Sequence, residues 1–268
     1  MEGRIIKQIS NDYTVLSDQL YVCKSRGKFR NLKITPLVGD LVTFDEKNHY
    51  ILDVKERKNY LIRPSIANVD YAFIITSLKD PDFDSYLLDK LLVTIEFHNI
   101  VPILIFTKWD LLKDPEEMEK ILSFYKKMGY QCFKNTQIEE IRFLFSNKIT
   151  VFTGQSGAGK STLLNHLDPA LQLKTDDISY ALGRGKHTTR HTELLPIGGG
   201  YVADTPGFSS IHLEEMTILD LRDQFKDFAV YQGECKYHDC MHDKEDGCKI
   251  KEMVKQGHIL KSRYENYL

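Results

Sequence analysis

Nine residues near the middle of the chain restrict its possible folds more than any other feature: Gly154-Gln155-Ser156-Gly157-Ala158-Gly159-Lys160-Ser161-Thr162, with the spacing GxxxxGK[ST]. The glycines let the backbone bend so that successive N–H groups point into one concavity, where they can hold phosphate oxygens. Such a loop works between a buried strand and the N-terminus of a helix, whose dipole adds favourable potential for anions. Both neighbours are present, the apolar run Ile149 to Thr153 before the loop and a helical pattern from Lys160 to Leu167 after it. A glycine-rich turn without chemistry is the plain alternative, and the flanking pattern argues against it. In the binding reading Lys160 reaches the β- and γ-phosphates and the Ser161 hydroxyl ligates Mg²⁺. The loop implies a nucleotide and leaves the base open.

The surrounding residues agree with an α/β layer. Tyr71 to Thr76 and Pro102 to Phe106 are short, nearly continuous apolar runs, as parallel strands covered on both faces should be. Between them Asp84 to His98 carries Tyr86, Leu87, Leu91 and Ile95 at helical spacing. Glu193 to Ile197 and Tyr201 to Asp204 read as two strands joined by the turn Gly198-Gly199-Gly200.

The base is addressed by Thr107-Lys108-Trp109-Asp110, directly after the strand Pro102 to Phe106. This resembles the guanine-specificity motif [NT]KxD. Guanine offers N1–H and an exocyclic amine on one edge, and a carboxylate at Asp110 accepts both in a charge-assisted pair. Adenine lacks that donor pair, so the wrong base leaves buried polar groups unmatched. The stem of Lys108 is expected to pack over the base plane. A polar loop ending a strand is the alternative for so short a motif, and the company of a phosphate loop favours the base-reading role. Its position is unusual, because it precedes the phosphate loop where ordinary GTPases place it afterwards. A binding site depends on spatial neighbours, so rotated order leaves it intact.

Asp204-Thr205-Pro206-Gly207 ends the strand Tyr201 to Ala203 and matches DxxG. Asp204 is expected to hold Mg²⁺ through water, and the Gly207 N–H to meet the γ-phosphate. Upstream, Gly183-Arg184-Gly185-Lys186-His187-Thr188-Thr189-Arg190 is a glycine-rich basic loop. Thr189 is preferred over Thr188 as the second Mg²⁺ hydroxyl. Ras-like GTPases place a water-orienting Gln directly after DxxG, and here Phe208 stands in that place. His187 is the candidate for positioning the attacking water. The alternative is a histidine that hydrogen-bonds the loop or RNA.

Residues 1–62 show alternating or apolar segments at Gly3 to Ile9, Tyr13 to Leu16, Leu20 to Cys23, Asp40 to Phe44 and Tyr50 to Val54, separated by turn residues. That spacing fits a small barrel such as an OB-fold, with another small β module as the alternative. From about Leu221 the sequence predicts a helix, then a Cys/His segment, then a short basic helix ending near Leu268. Three of the five cysteines crowd into Cys235-x4-Cys240-x-His242-x5-Cys248, a Cys₃His set suited to structural Zn²⁺. His238 is a competing ligand. With four protein ligands no position stays open for substrate, so the zinc is expected to be structural.

Composition narrows the setting. With 42% hydrophobic and 28% charged residues the chain reads as an ordinary globular protein. Its net charge of −2 hides a gradient. Residues 1–63 carry 12 Lys+Arg against 8 Asp+Glu, residues 64–220 carry 15 against 21, and residues 221–268 carry 9 against 9. The stretch Lys24 to Lys33 holds five basic residues and no acid, a patch suited to RNA. The first residues lack the apolar core of a secretory signal. No apolar run approaches the roughly 20 residues needed to span a bilayer. The expectation is a soluble, cytoplasmic monomer with no membrane partner.

The chain resembles the ribosome-small-subunit-dependent GTPases, circularly permuted GTPases that help mature the small ribosomal subunit. The resemblance covers essentially the whole chain. It rests on Arg63-Pro64-x-x-Ala67-Asn68-Val69-Asp70, on Thr107 to Asp110 preceding Gly154 to Thr162, and on Gly185 to Thr189. Asp204 to Gly207 and the Cys₃His spacing complete it. It implies an OB-fold in front, His187 as the water-positioning residue, and Cys235, Cys240, His242 and Cys248 as ligands in preference to His238. Thr107 departs from the commoner Asn, and Asn135-Thr136 stands where a Ser-Ala pair is usual. The expected organisation is an OB-fold RNA-binding barrel over 1–62, a permuted P-loop GTPase domain over 63–220 and a zinc-binding domain over 221–268. The expected reaction is hydrolysis of GTP to GDP and phosphate with Mg²⁺, with the small ribosomal subunit and its rRNA as partners. Two other classes remain: a non-hydrolysing, GTP-responsive RNA-binding assembly factor, and an ATP-dependent enzyme, which Asp110 disfavours.

Overall fold

The alternating N-terminal segments form five short strands in the computed structural model, which describes residues 1–27, 29, 34–62, 64–171, 192–204 and 216–268, with Asp204 described in its backbone only. The strands are β1 (Glu2–Ile9), β2 (Asp12–Leu16), β3 (Leu20–Ser25), β4 (Leu41–Asp45) and β5 (Tyr50–Val54). They pair in the order β1-β2-β3-β5-β4, and β4 returns to β1 through Gly3↔Val42, closing a barrel. Ile5, Tyr13, Val15, Cys23, Val42, Phe44 and Ile51 fill its interior. Leu20 and Val22, one residue out of phase on β3, face solvent, as the two-residue period of a strand requires.

A small hairpin, β6 (Tyr60–Leu61) with β7 (Ile66–Ala67), leads into the α/β layer. There β8 (Tyr71–Ser77), α1 (Ser85–Phe97), β9 (Val101–Thr107), α2 (Glu116–Lys127), β10 (Gln131–Lys134), α3 (Ile138–Phe143), β11 (Ile149–Gly154) and α4 (Lys160–Leu167) alternate. The hairpin strands β12 (Thr192–Ile197) and β13 (Gly200–Asp204) follow. The strand order is β10-β9-β8-β11-β13-β12, parallel except for β12. Alternate residues explain why these strands read as continuous apolar runs. Ala72, Ile74, Leu104 and Phe106 pack under α1 and α2 on one face. Phe73, Ile75, Ile103 and Ile105 pack under α3 and α4 on the other. β12 also pairs with β1 through Lys7↔Glu193, so one sheet of eleven strands runs through barrel and α/β layer.

The C-terminal segment holds four short helices, α5 (Ile218–Asp223), α6 (Lys226–Ala229), α7 (Lys249–Lys255) and α8 (Lys261–Tyr267). The short basic helix expected to end near Leu268 is α8; a separate helix, α7, precedes it and stops before Gly257, whose φ is +78°. Phe225, Phe228, Ile250, Met253 and Ile259 form a third core, and Val93 of α1 joins it. No helix among the described residues is long and apolar enough to cross a membrane.

Candidate functional site

Parallel register brings the ends of four strands to one edge of the sheet. Gly154 at the end of β11 lies opposite Ile75 of β8, and Ser77 at the end of β8 lies opposite Thr107 of β9. β13, parallel to β11, delivers the Asp204 backbone to the same edge. This carboxyl edge is where open α/β sheets bind ligands. Gly154 has φ +127°, and a Cβ there would stand 2.0 Å from the Ile75 carbonyl oxygen, so only glycine lets the chain turn into the loop. Gly157 and Gly159 also adopt left-handed conformations, at φ +74° and +93°. Gln155, Ser156 and Ala158 complete the turn, and Lys160, Ser161 and Thr162 open α4. Ser161 is buried at the helix start. The Lys160 ammonium donates to the carbonyls of Gly154 at 2.9 Å and Gln155 at 2.5 Å, across the loop. Burial brings its pKa down to about 8.

The rotated motif lies against this loop. The Thr107 hydroxyl donates to the Ala158 carbonyl at 2.8 Å, so the departure from Asn still spans the gap between base-reading segment and phosphate loop. Lys108 takes a left-handed φ of +60°, and its ammonium donates to the Asp80 carbonyl. Asp110 follows in a single 3₁₀ turn, Trp109–Leu111, with its carboxylate exposed. β10 pairs Lys134 with Phe106, and the Asn135 N–H donates to the Phe106 carbonyl at 3.0 Å. Asn135 and Thr136 therefore stand directly beside the base-reading segment, where the sequence left their role open.

One part of the site carried no signal in the sequence reading. The link from β8 to α1 passes beside the phosphate loop: Gln155 Nε2 donates to the Asp82 carbonyl at 3.2 Å, and Lys108 holds Asp80. These contacts use backbone carbonyls, so side-chain identity does not announce them. Only Asp80-Pro81-Asp82, as turn-forming residues, marks the position. His187, Thr188 and Thr189 lie outside the described residues, as do Gly207 and Phe208.

The second cluster lies in the C-terminal segment. One ligand atom each from Cys235, Cys240, His242 and Cys248 fall within 4.8 Å of one another, and His238 is not part of the group. His242 Nδ1 lies 3.7 Å from Cys235 Sγ and 3.5 Å from Cys248 Sγ. A tetrahedral zinc with bonds of about 2.3 Å to sulfur and about 2.0 Å to nitrogen sets that edge at about 3.5 Å. Both His242 distances match that edge, and four ligand atoms within 4.8 Å of one another can close around one ion. Burial pushes the Cys240 thiol up to about 12 and the Cys248 thiol upward, so ionised sulfurs here need a cation. Burial also lowers the His242 pKa, favouring the neutral imidazole that binds metal. The donor set is that of a structural metal site.

A phosphate loop at the carboxyl edge of a parallel sheet, bonded to a guanine-type motif that precedes it in the chain, defines a circularly permuted GTPase. Residues 54–214 match the RsgA GTPase family and residues 2–50 the RsgA N-terminal domain. The chain is 50% identical over 279 residues to a small ribosomal subunit biogenesis GTPase, RsgA 2, of Oceanobacillus iheyensis, covering all of this chain and 95% of that protein. It is 47% identical to the corresponding RsgA protein of Enterococcus faecalis, covering all of this chain and 93% of the relative. Among solved structures it resembles YloQ, a circularly permuted GTPase (TM-score 0.81, 39% identity, 99% of this chain and 92% of that one). It also resembles YjeQ of Thermotoga maritima (TM-score 0.83, 35% identity, 99% and 95%). The chain belongs to the RsgA GTPase family, whose members hydrolyse GTP.

Proposed function

We propose that this chain hydrolyses GTP to GDP and phosphate during late maturation of the small ribosomal subunit, and that the subunit stimulates its turnover. The hydrogen bond from Thr107 to Ala158 carries the reading most directly, because it joins a base-selecting segment to a phosphate cradle in one pocket. The names of relatives matching over the full chain supply the ribosomal setting.

In this reading Asp110 accepts from guanine and Lys108 covers its face. The N–H groups of Gly154 to Thr162 and the Lys160 ammonium hold the phosphates. Mg²⁺ is held by Ser161, by Thr189 and, through water, by Asp204; Gly207 meets the γ-phosphate and His187 positions the attacking water. Asn135 and Thr136 are the further candidates for base contact. Zinc on Cys235, Cys240, His242 and Cys248 acts as a cross-link only, since four protein ligands leave no open coordination position. The barrel offers rRNA an exposed face on which Val22, Lys24 and Tyr50 lie together, with Arg26 5.8 Å from the Tyr50 ring centre. Aromatic and cationic groups side by side suit single-stranded RNA. The division into 1–62, 63–220 and 221–268, monomeric action and a cytoplasmic location belong to the same proposal. Phosphate release measured with and without small subunits is the test. Slow basal release that rises many-fold with subunits supports the reading, and GTP binding without release in either case overturns it.

A further inference from the structure

The last helix, α8, faces two ways. Toward the α/β layer, Arg263 and Asn266 reach helix α1. Arg263 is fully buried and donates to Asp89 of α1, and Asn266 Nδ2 donates to the same carboxylate at 2.6 Å. Asn266 Nδ2 also lies 3.4 Å from the Ser85 hydroxyl at the first residue of α1. Tyr125 of α2 donates to Asp89 at 2.9 Å, and Arg263 closes a two-pronged pair with Asp227 of α6 at 2.9 and 2.8 Å. Toward the cysteine cluster, the hydroxyl of Tyr264 donates to the His242 carbonyl at 2.6 Å and that of Tyr267 to the Met241 carbonyl at 2.7 Å. His242 itself lies in the left-handed region, at φ +63°.

Helix α1 faces two ways as well. Asp89 sits in its second turn, while the link into its N-terminus holds Gln155 of the phosphate loop and Lys108 of the base-reading segment. Asp84 ties that link to the helix by accepting from the Leu87 N–H at 2.9 Å.

We infer that the guanine-nucleotide pocket and the metal centre are energetically coupled through α1 and α8, with Asp89, Arg263, Tyr264 and Tyr267 as positioning residues. The physical reason is the buried charge. Asp89 is only 1% exposed, and separating it from Arg263 would strand a carboxylate away from water. Parting the two helices is therefore costly, and a small shift of one is passed to the other. Loss of the metal frees the carbonyls of Met241 and His242, loosens α8 and shifts α1. The Asp80 and Asp82 carbonyls that brace Lys108 and Gln155 shift with it. Linkage then makes the effect mutual: nucleotide in the pocket must tighten the hold on metal by the same factor. This route runs from β8 and β9, on the opposite side of β11 from β13.

The inference rests on the reading that Cys235, Cys240, His242 and Cys248 hold zinc. Full-length protein is loaded with one equivalent of zinc, and transfer of zinc to a chromophoric chelator is timed without nucleotide, with GDP and with a non-hydrolysable GTP analogue. Bound nucleotide is expected to slow release about 5- to 50-fold. Tyr267→Phe removes one hydroxyl and should speed release in every state. Arg263→Lys keeps the charge but loses the two-pronged hold on Asp227, and should bring the ratio with and without nucleotide close to one. Release that is unchanged or faster with nucleotide in the unsubstituted protein overturns the coupling, whatever the variants do. A chain that takes up no zinc overturns the metal reading beneath it instead.

Discussion

The phosphate loop and the metal centre solve the problem of binding a charged ligand in opposite ways. The loop presents backbone groups, and its shape comes from the strand β11 and helix α4 that grip its two ends and from Gly154, where a Cβ would collide with the Ile75 carbonyl. The metal centre presents side chains gathered from a stretch of short helices and turns, and its own core is small. A backbone cradle is held by the whole parallel sheet and persists without its ligand. A side-chain cluster with buried, neutral thiols depends on the cation that lets them ionise. The same contrast separates graded losses from all-or-none ones.

The largest effect should therefore follow metal removal. Structural zinc contributes on the order of 10 kcal/mol to small metal-centred folds, more than the core of residues 216–268 can replace. Elemental analysis should find one zinc per chain, and chelation should make this segment protease-sensitive while the α/β layer stays resistant. A stripped protein whose C-terminal segment still resists protease would break the comparison.

Next in size is His187→Ala. Phe208 puts no polar group at the usual glutamine position, and His187 belongs to the loop expected to close over the γ-phosphate. Turnover stimulated by the small subunit should fall by roughly 10²–10⁴-fold while GTP affinity is nearly intact. Near-normal turnover would move the role to His191, His212 or a ribosomal group. Parallel loss of affinity would mean that the loop, too, belongs to the cradle.

The two regions were also legible to different degrees. Strand β11, the loop and helix α4 appear in the sequence at nearly their observed limits, because strand, glycine spacing and helix pattern are all local. Asp84 and His98, the limits expected for the first long helix, are its caps in the structure. The Cys₃His cluster was legible as residue types, and geometry then left His238 out. What pattern reading missed is long-range. Nothing local marks Arg263 as the partner of Asp89, 174 residues away, or predicts that a fully buried arginine joins the C-terminal segment to the α/β layer. The pairing of β1 with β12, which fuses barrel and α/β layer into one sheet, is invisible for the same reason. The strand β10 and the helices α2 and α3 also escaped, being short or strongly polar on one face.

Within the cradle, base choice should be the most sensitive point. Asp110→Asn keeps the size of the side chain but loses the carboxylate that accepts both guanine hydrogens. GTP binding should weaken by about 2–4 kcal/mol. Unchanged affinity in equilibrium titration would remove Asp110 from the site and leave the backbone cradle without a base reader.

A pH series sharpens the contrast further. Burial lowers the Lys160 pKa to about 8 in the free protein, and an anionic ligand beside it must raise that value again. Above about pH 8 the free protein has to take up a proton to bind, so GTP affinity should fall by up to about tenfold per pH unit. The effect on stability has the opposite sign. Between about 8 and the ordinary lysine value of 10.5 the unfolded chain binds more protons than the folded one, so this group makes the ligand-free fold more stable as pH rises. Proton uptake on binding, measured by calorimetry in two buffers at pH 9, checks the sign. No uptake would mean that Lys160 keeps one protonation state in the free and the bound protein.

The smallest effect concerns the seam within the cradle. Thr107 is buried at 3% exposure, and its hydroxyl holds the Ala158 carbonyl of the phosphate loop at 2.8 Å. Thr107→Val preserves shape and removes that donor, leaving the carbonyl without this partner. A neutral hydrogen bond of this kind is worth about 1 kcal/mol, so GTP affinity should drop about fivefold and the fold should hold. Thr107→Asn, which carries the commoner residue, should restore part of the loss, because its amide can donate to the same carbonyl. If both variants bind GTP as the parent does, the base-reading segment and the phosphate loop hold their shapes independently. The cradle would then be stiff enough from its sheet and helix alone, and the contrast with the metal centre would be sharper than the seam suggests.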